Sequence, residues 1–113
     1  IMYIPRKIKF MGHTYNVREE IEQTAIGGHW AELDHTNHEM RIYKNMSEDQ
    51  KGESLMHEST HLICDKLCID MDEDDIVRLG SGIFAILNEN KLLRPSVQEI
   101  KKKRPRKKKM GFK

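Results

Sequence analysis

The amino-acid sequence predicts an α+β domain in which a small antiparallel sheet of two β-hairpins packs on two helices, followed by a disordered basic C-terminal tail. Three features support this fold class. The N-terminal part contains short segments in which apolar and polar residues alternate, as in strands with one buried face. The middle of the chain contains two longer segments with apolar residues at helical spacing. The C-terminal part is rich in Lys and Arg and lacks an apolar period.

The two predicted hairpins occupy the N-terminal segment. Their four strands are residues 3–10, 13–17, 29–34 and 39–43. Met-Gly at 11–12 supplies a tight turn for the first hairpin, and the residues at 35–38 are compatible with a turn in the second. Residues 19–25 are polar and have no clean period, so a loop or a short helical turn is expected between the hairpins.

Two amphipathic helices are predicted after the hairpins. The first should span residues 49–68, because apolar residues recur at helical spacing and the segment 47–50 is a capping-box pattern. The second should begin after Asp72, whose side chain can cap it beside further acids that suit the helix dipole. We expect Gly80 and Gly82 to allow close approach to the first helix or to leave room for a metal site. The predicted buried stripe of the second helix consists of Ile76, Gly80, Ile83, Phe84 and Leu87.

Charge divides the chain of 113 residues into an acidic body and a basic tail. Residues 94–113 hold ten Lys and Arg and one acid, whereas residues 1–93 hold ten Lys and Arg and seventeen acids. Mutual repulsion should keep the tail disordered, and its charges could bind nucleic-acid phosphates. The basic residues expected to do so are Lys101, Lys102, Lys103, Arg104, Arg106, Lys107, Lys108 and Lys109.

Neither a membrane-spanning segment nor a signal-peptide core is expected, which favours a cytoplasmic protein. Cys64 and Cys68 lie four positions apart on the first predicted helix, a spacing that fits a disulfide poorly. We therefore expect two buried thiols in a reducing compartment.

The first predicted helix carries an H-E-x-x-H motif at His57, Glu58 and His61. Residues four apart on a helix share one face, so the two imidazoles can bind one Zn²⁺ ion. Glu58 lies about 100° around the helix from His57, where its carboxylate can reach an attacking water without binding the metal. Asp65, one turn after His61, could accept the second N–H of that imidazole or remain a solvated helix acid.

A catalytic zinc ion usually has three protein ligands, so a third must come from outside the motif. Glu73 lies on the same stripe of the second predicted helix as Val77 and Gly80, which should face the first helix. Glu73 is therefore the predicted third ligand. Glu89, near the end of that helix, and Cys64 are the alternatives.

The order of hairpin strands, H-E-x-x-H helix and acidic-started second helix resembles the small phage- and mobile-element-encoded metallopeptidases related to the ImmA/IrrE group. The segments that carry the resemblance are IKFMGHTY at 8–15, ESLMHESTH at 53–61 and EDDIVRLGSGIF at 73–84. Glu73 matches the third zinc ligand of the group's E-x-x-A-N-x-F-A segment, although Ile-Val at 76–77 and Leu-Gly at 79–80 depart from it. The resemblance implies a minimal zincin-like metallopeptidase domain over residues 1–93, with the basic tail at 94–113 outside it.

Motif and resemblance together imply a zinc-dependent endopeptidase that acts on a protein or peptide substrate, with Glu58 as general base. An extended substrate could pair with the strand at 30–34 beside the metal helix. The basic tail could direct the enzyme to nucleic-acid-bound protein. The alternative function is a nucleic-acid-binding module with a structural or degenerate zinc site, and a further possibility is a tail that covers the acidic body.

Overall fold

The computed structural model describes residues 4–92, apart from the side chain of Ala25. This part of the chain is α+β, which confirms the predicted class. Its elements, in chain order, are β1 (Lys7–Phe10), β2 (His13–Glu20), a 3₁₀ turn (Gln23–Ile26), β3 (Ala31–Asp34), β4 (Glu39–Tyr43), α1 (Glu48–Leu67) and α2 (Glu73–Glu89). The segment predicted as a loop or helical turn thus contains the end of β2 and the 3₁₀ turn.

The four strands form one mixed sheet in the order β1-β2-β4-β3. The two hairpins are antiparallel as expected, but β2 and β4 pair in parallel, with Val17 opposite Met40. The prediction of an antiparallel sheet was therefore wrong. Local turn signals specify each hairpin but not how two hairpins join. Here β4, whose Met40 and Ile42 are fully buried, takes a central position, and the more polar β3 takes the edge.

The core lies between the sheet and the two helices, and α1 packs against both the strands β3 and β4 and the helix α2. Strand β4 alternates in burial along its length, as expected for a strand with one face on the core. Both helices add side chains to this core, because a sheet can bury its apolar face only against another layer of structure. The cluster at its centre consists of Met40, Ile42, Leu55, Met56 and Phe84.

Side-chain caps fix the start of both helices. The Ser47 hydroxyl accepts a hydrogen bond from the Gln50 backbone N–H at 3.2 Å, and the Gln50 side chain accepts one from the Ser47 backbone N–H at 3.1 Å. This is the predicted capping box. The Asp72 carboxylate accepts from the Asp75 backbone N–H at 2.8 Å, so α2 begins at Glu73. The Asp72 cap thus sets which residues occupy the first turn of α2.

Helix α1 ends at Leu67, and its C-cap Cys68 adopts a left-handed conformation with φ of 57°. Cys64 is buried as predicted, but Cys68 is exposed, because the chain turns away from the core at this cap. The expectation of two buried thiols was thus wrong for Cys68. Within residues 4–92, neither helix has the length and apolar character needed to cross a membrane. The predictions on the basic tail concern positions outside the described residues.

Candidate metal centre

Three side chains that the sequence singled out as metal ligands meet where α1 and the first turn of α2 face each other. His57 and His61 lie one turn apart on α1, and their ring centroids are 4.9 Å apart. Glu73 reaches them from α2 because the Asp72 cap makes Glu73 the first residue of that helix. Donor atoms of the three residues all lie within 4.8 Å of one another, and they are the one such group found within the described residues.

The Glu73 carboxylate bridges the two imidazoles. His57 Nε2 lies 3.0 Å from Glu73 Oε2, and His61 Nε2 lies 3.0 Å from Glu73 Oε1. The histidine side chains are 26% and 29% exposed and that of Glu73 is 59% exposed, so the group is open to solvent on one side. These distances place the Glu73 carboxylate in direct polar contact with both imidazoles.

The donor set also fits a zinc ion. Two ligands about 2.0–2.1 Å from one tetrahedral ion lie about 3.3–3.4 Å apart, close to the observed N···O separations. Two imidazoles and one carboxylate form a ligand set that catalytic zinc sites use, with the fourth position left open.

Glu58 is the one buried carboxylate that lines the same cleft, with 8% of the residue exposed. The pKa of Glu58 is raised to about 7, mainly by burial; the nearby His61 opposes this rise, and the negative charges of Glu73, Glu32 and Asp65 add to it. A divalent cation held by the neighbouring ligands would lower this pKa through attraction. Glu58 is therefore placed to exchange a proton with a molecule in the cleft.

The cleft above the ligands has a volume of about 580 Å³. Helix α1 forms its floor, α2 forms one wall, and the loop before β3 with the start of β3 forms the other. Gly80 lets α2 approach this floor closely: a Cβ atom built on it would lie 3.2 Å from His57 Cα. The residues that line the cleft are Gly28, His29, Trp30, Ala31, Glu53, Ser54, His57, Glu58, His61, Glu73, Val77 and Ser81.

Asp65 makes a contact that sequence reasoning missed. Its carboxylate lies 2.7 Å from His35 Nε2, and His35 Nδ1 lies 2.8 Å from the hydroxyl of the fully buried Tyr15. Since an ionised carboxylate can only accept, His35 donates from Nε2, and in a neutral ring Nδ1 accepts from Tyr15. No hydrogen bond joins Asp65 to His61 among the described residues. Asp65 therefore ties α1 to the β3–β4 turn.

The alternatives for the third ligand lie outside the group. Cys64 is buried, Glu89 is exposed at the end of α2, and neither belongs to the three-residue group of the described chain. Of the other histidines, His29 lines the cleft, whereas the ring of His38 lies against those of Tyr15 and His13, and neither His13 nor His38 belongs to the cleft lining within the described residues. The basic residues proposed to bind nucleic acid lie outside the described residues.

Comparison with known proteins adds no relative. No protein-family model matches the chain, and no significant match is found among curated proteins or solved structures. The resemblance to the ImmA/IrrE group, and the zincin-like fold that it implies, therefore stay predictions.

Proposed function

We propose that the protein is a zinc-dependent endopeptidase. The observation that carries this proposal is the meeting of His57, His61 and Glu73 at 3.0 Å contacts beside a buried glutamate in an open cleft. On an ordinary solvated helix surface Glu58 would not be expected to be buried beside two imidazoles, because burying an acid without a cationic partner costs free energy. Metal-assisted hydrolysis is the reaction class that uses all four side chains.

Each residue has a distinct role in this proposal. His57, His61 and Glu73 would hold the ion, and a bound zinc ion supplies a lowered pKa for water and polarisation of the substrate carbonyl. Glu58, on the flank of the His stripe, takes the proton of the attacking water and returns it to the leaving amine. Its burial restricts the carboxylate to the cleft side of α1.

The substrate would lie in extended form along β3. Within the described residues β3 pairs with β4 alone, so its other edge is open for main-chain hydrogen bonds. Its first residue, Ala31, lines the cleft together with the loop residues that precede it. Addition of a peptide strand at this edge would bring a carbonyl group over the ligand group.

The test combines metal analysis with the Glu58→Gln variant. Purified protein should contain about one zinc ion per chain, and Glu58→Gln should retain both zinc and the fold. Cleavage of unstructured protein substrates should fall by about 10²–10⁴, because Gln keeps the shape of the side chain but cannot take a proton. Glu89→Gln, at an exposed site on α2, is the matched control and should cleave at the parental rate.

Two results would contradict the proposal. One is a protein that neither contains zinc nor binds it on titration. The other is a zinc-loaded wild type whose cleavage rate is unchanged in Glu58→Gln, since the general base would then lie elsewhere.

A nucleic-acid-binding function is the second candidate, and the uneven charge distribution favours it. Half of the twenty Lys and Arg residues fall at positions 94–113. Such a segment would bind phosphate backbones with little sequence preference and strong salt dependence. The two functions are compatible if the basic segment brings the peptidase to proteins bound to DNA or RNA.

A further inference from the structure

We propose that the end of the cleft at Glu53 is a subsite for a Lys or Arg side chain of the peptide substrate. This inference rests on the proposed function for its catalytic meaning, but the recognition of a basic side chain can be measured separately. Glu53 has no part in the ligand group or in the proposed proton transfer.

The positions of three residues along α1 define the subsite. Glu53, His57 and His61 follow one another at intervals of four residues, so they line one face, with about 6 Å between successive positions. On α2, Ser81 lies two turns beyond Glu73, and its hydroxyl donates a hydrogen bond to Glu53 Oε2 at 3.1 Å. The metal group and Glu53 therefore occupy opposite ends of one cleft.

The walls between these ends are apolar and open. Trp30 is 55% exposed and Val77 is 43% exposed, and both line the cleft. A Lys or Arg side chain can lay its methylene stem along such walls while its charged head reaches a carboxylate. The indole of Trp30 would add attraction for a cation that passes over its face. Glu53 and His57 lie about one helical turn apart on α1, a distance that a Lys or Arg side chain can span.

Charge selects a basic side chain over other long ones. Among residues 4–92, no Lys or Arg lines the cleft. Within the described residues Glu53 has the Ser81 hydroxyl as its hydrogen-bond partner and no cation within ion-pair distance, whereas Glu19 is paired with Lys51 and Asp75 with Arg78. A zinc ion would offset the charges of Glu58 and Glu73, which leaves the charge of Glu53 uncompensated. An acidic substrate side chain would be repelled here.

The single Trp of the chain supplies a binding signal that needs no turnover. Zinc-loaded full-length Glu58→Gln protein is titrated with two peptides that differ by one side chain, Lys or norleucine, and Trp30 fluorescence is followed. The lysine peptide should bind about two- to fivefold more tightly, because an ion pair with the exposed Glu53 carboxylate contributes modestly to the binding free energy. Adding Glu53→Gln should remove this preference, whereas adding Glu48→Gln, an exposed change on the same helix, should preserve it.

Equal binding of the two peptides, no binding of either, or a lysine preference that survives Glu53→Gln would overturn the subsite. Zinc content and cleavage by the wild type are measured in parallel. If protein that retains no zinc and cleaves no substrate still shows the Glu53-dependent preference, the recognition site stands and the peptidase proposal fails. If cleavage occurs without preference for Lys or Arg, the peptidase stands and the subsite fails.

Discussion

Replacement of Gly80 by Ala tests whether the close approach of α2 to α1 positions the proposed metal ligands. A Cβ atom at Gly80 would lie 3.2 Å from His57 Cα and 3.3 Å from His57 N, whereas a Cβ atom at Gly82 would meet nothing within 4 Å. Carbon atoms in favourable contact are about 3.5–4.0 Å apart. The α1 backbone at His57 must therefore move by a few tenths of an ångström in Gly80→Ala.

The two glycines separate helix propensity from packing. Ala in place of Gly within a helix stabilises by about 0.8–1 kcal/mol, and both variants share this gain. Overpacking of a close contact costs about 1–3 kcal/mol, which applies to Gly80→Ala alone. We expect Gly82→Ala to be about 1 kcal/mol more stable than the wild type. Gly80→Ala should be less stable than Gly82→Ala by about 1–3 kcal/mol.

Urea unfolding of the metal-free proteins measures this difference. For a domain of this size each kcal/mol also moves the melting temperature by about 4–8 °C. Because the displaced backbone carries His57, Gly80→Ala should further weaken zinc binding by about tenfold, as changes around metal ligands commonly do. Equal stabilisation of both variants with unchanged zinc affinity would refute the argument that Gly80 sets the position of His57.

Three further predictions concern the ligand group, the edge strand and the tail. Glu73→Ala should weaken zinc retention far more than Asp74→Ala or Asp75→Ala, because of these three acids Glu73 alone contacts both imidazoles. Equal zinc affinities of the three variants in equilibrium dialysis would remove Glu73 from the ligand set. The Asn37 backbone N–H, the Asn37 side chain and Arg41 lower the pKa of Asp34 from 3.8 to about 2. Its ionised form therefore stabilises the fold above pH 3.8, and this contribution is lost as the pH falls through about 2. Asp34→Asn should flatten the pH dependence of the urea midpoint between pH 4 and pH 2, and an unchanged profile would contradict the assignment. Deletion of residues 101–113 should leave folding and zinc content unchanged but remove most nucleic-acid binding. In the full-length chain this binding should fall steeply as the salt concentration rises. Equal gel-shift affinity with and without the segment would argue against a role of the tail in nucleic-acid binding.

Local patterns in the sequence determined the elements and the stripe proposed to bind a metal. The i, i+4 spacing places His57 and His61 on one face in any α-helix, and the caps at Ser47 and Asp72 act through residues three positions away. Glu73 could be placed from the same information, because a helix that begins after Asp72 and buries Gly80 must turn Glu73 toward its neighbour. These relations need no knowledge of the rest of the fold.

Only the tertiary structure decided the contacts between segments far apart in the chain. The parallel pairing of β2 with β4 depends on which strand best fills the centre of the sheet, and the tie from Asp65 through His35 to Tyr15 spans three elements. The difference between Gly80 and Gly82 likewise depends on where α1 lies. Periodicity gives the face that a residue occupies, but the partner on that face follows from packing of the whole domain, to which many weak contacts contribute together.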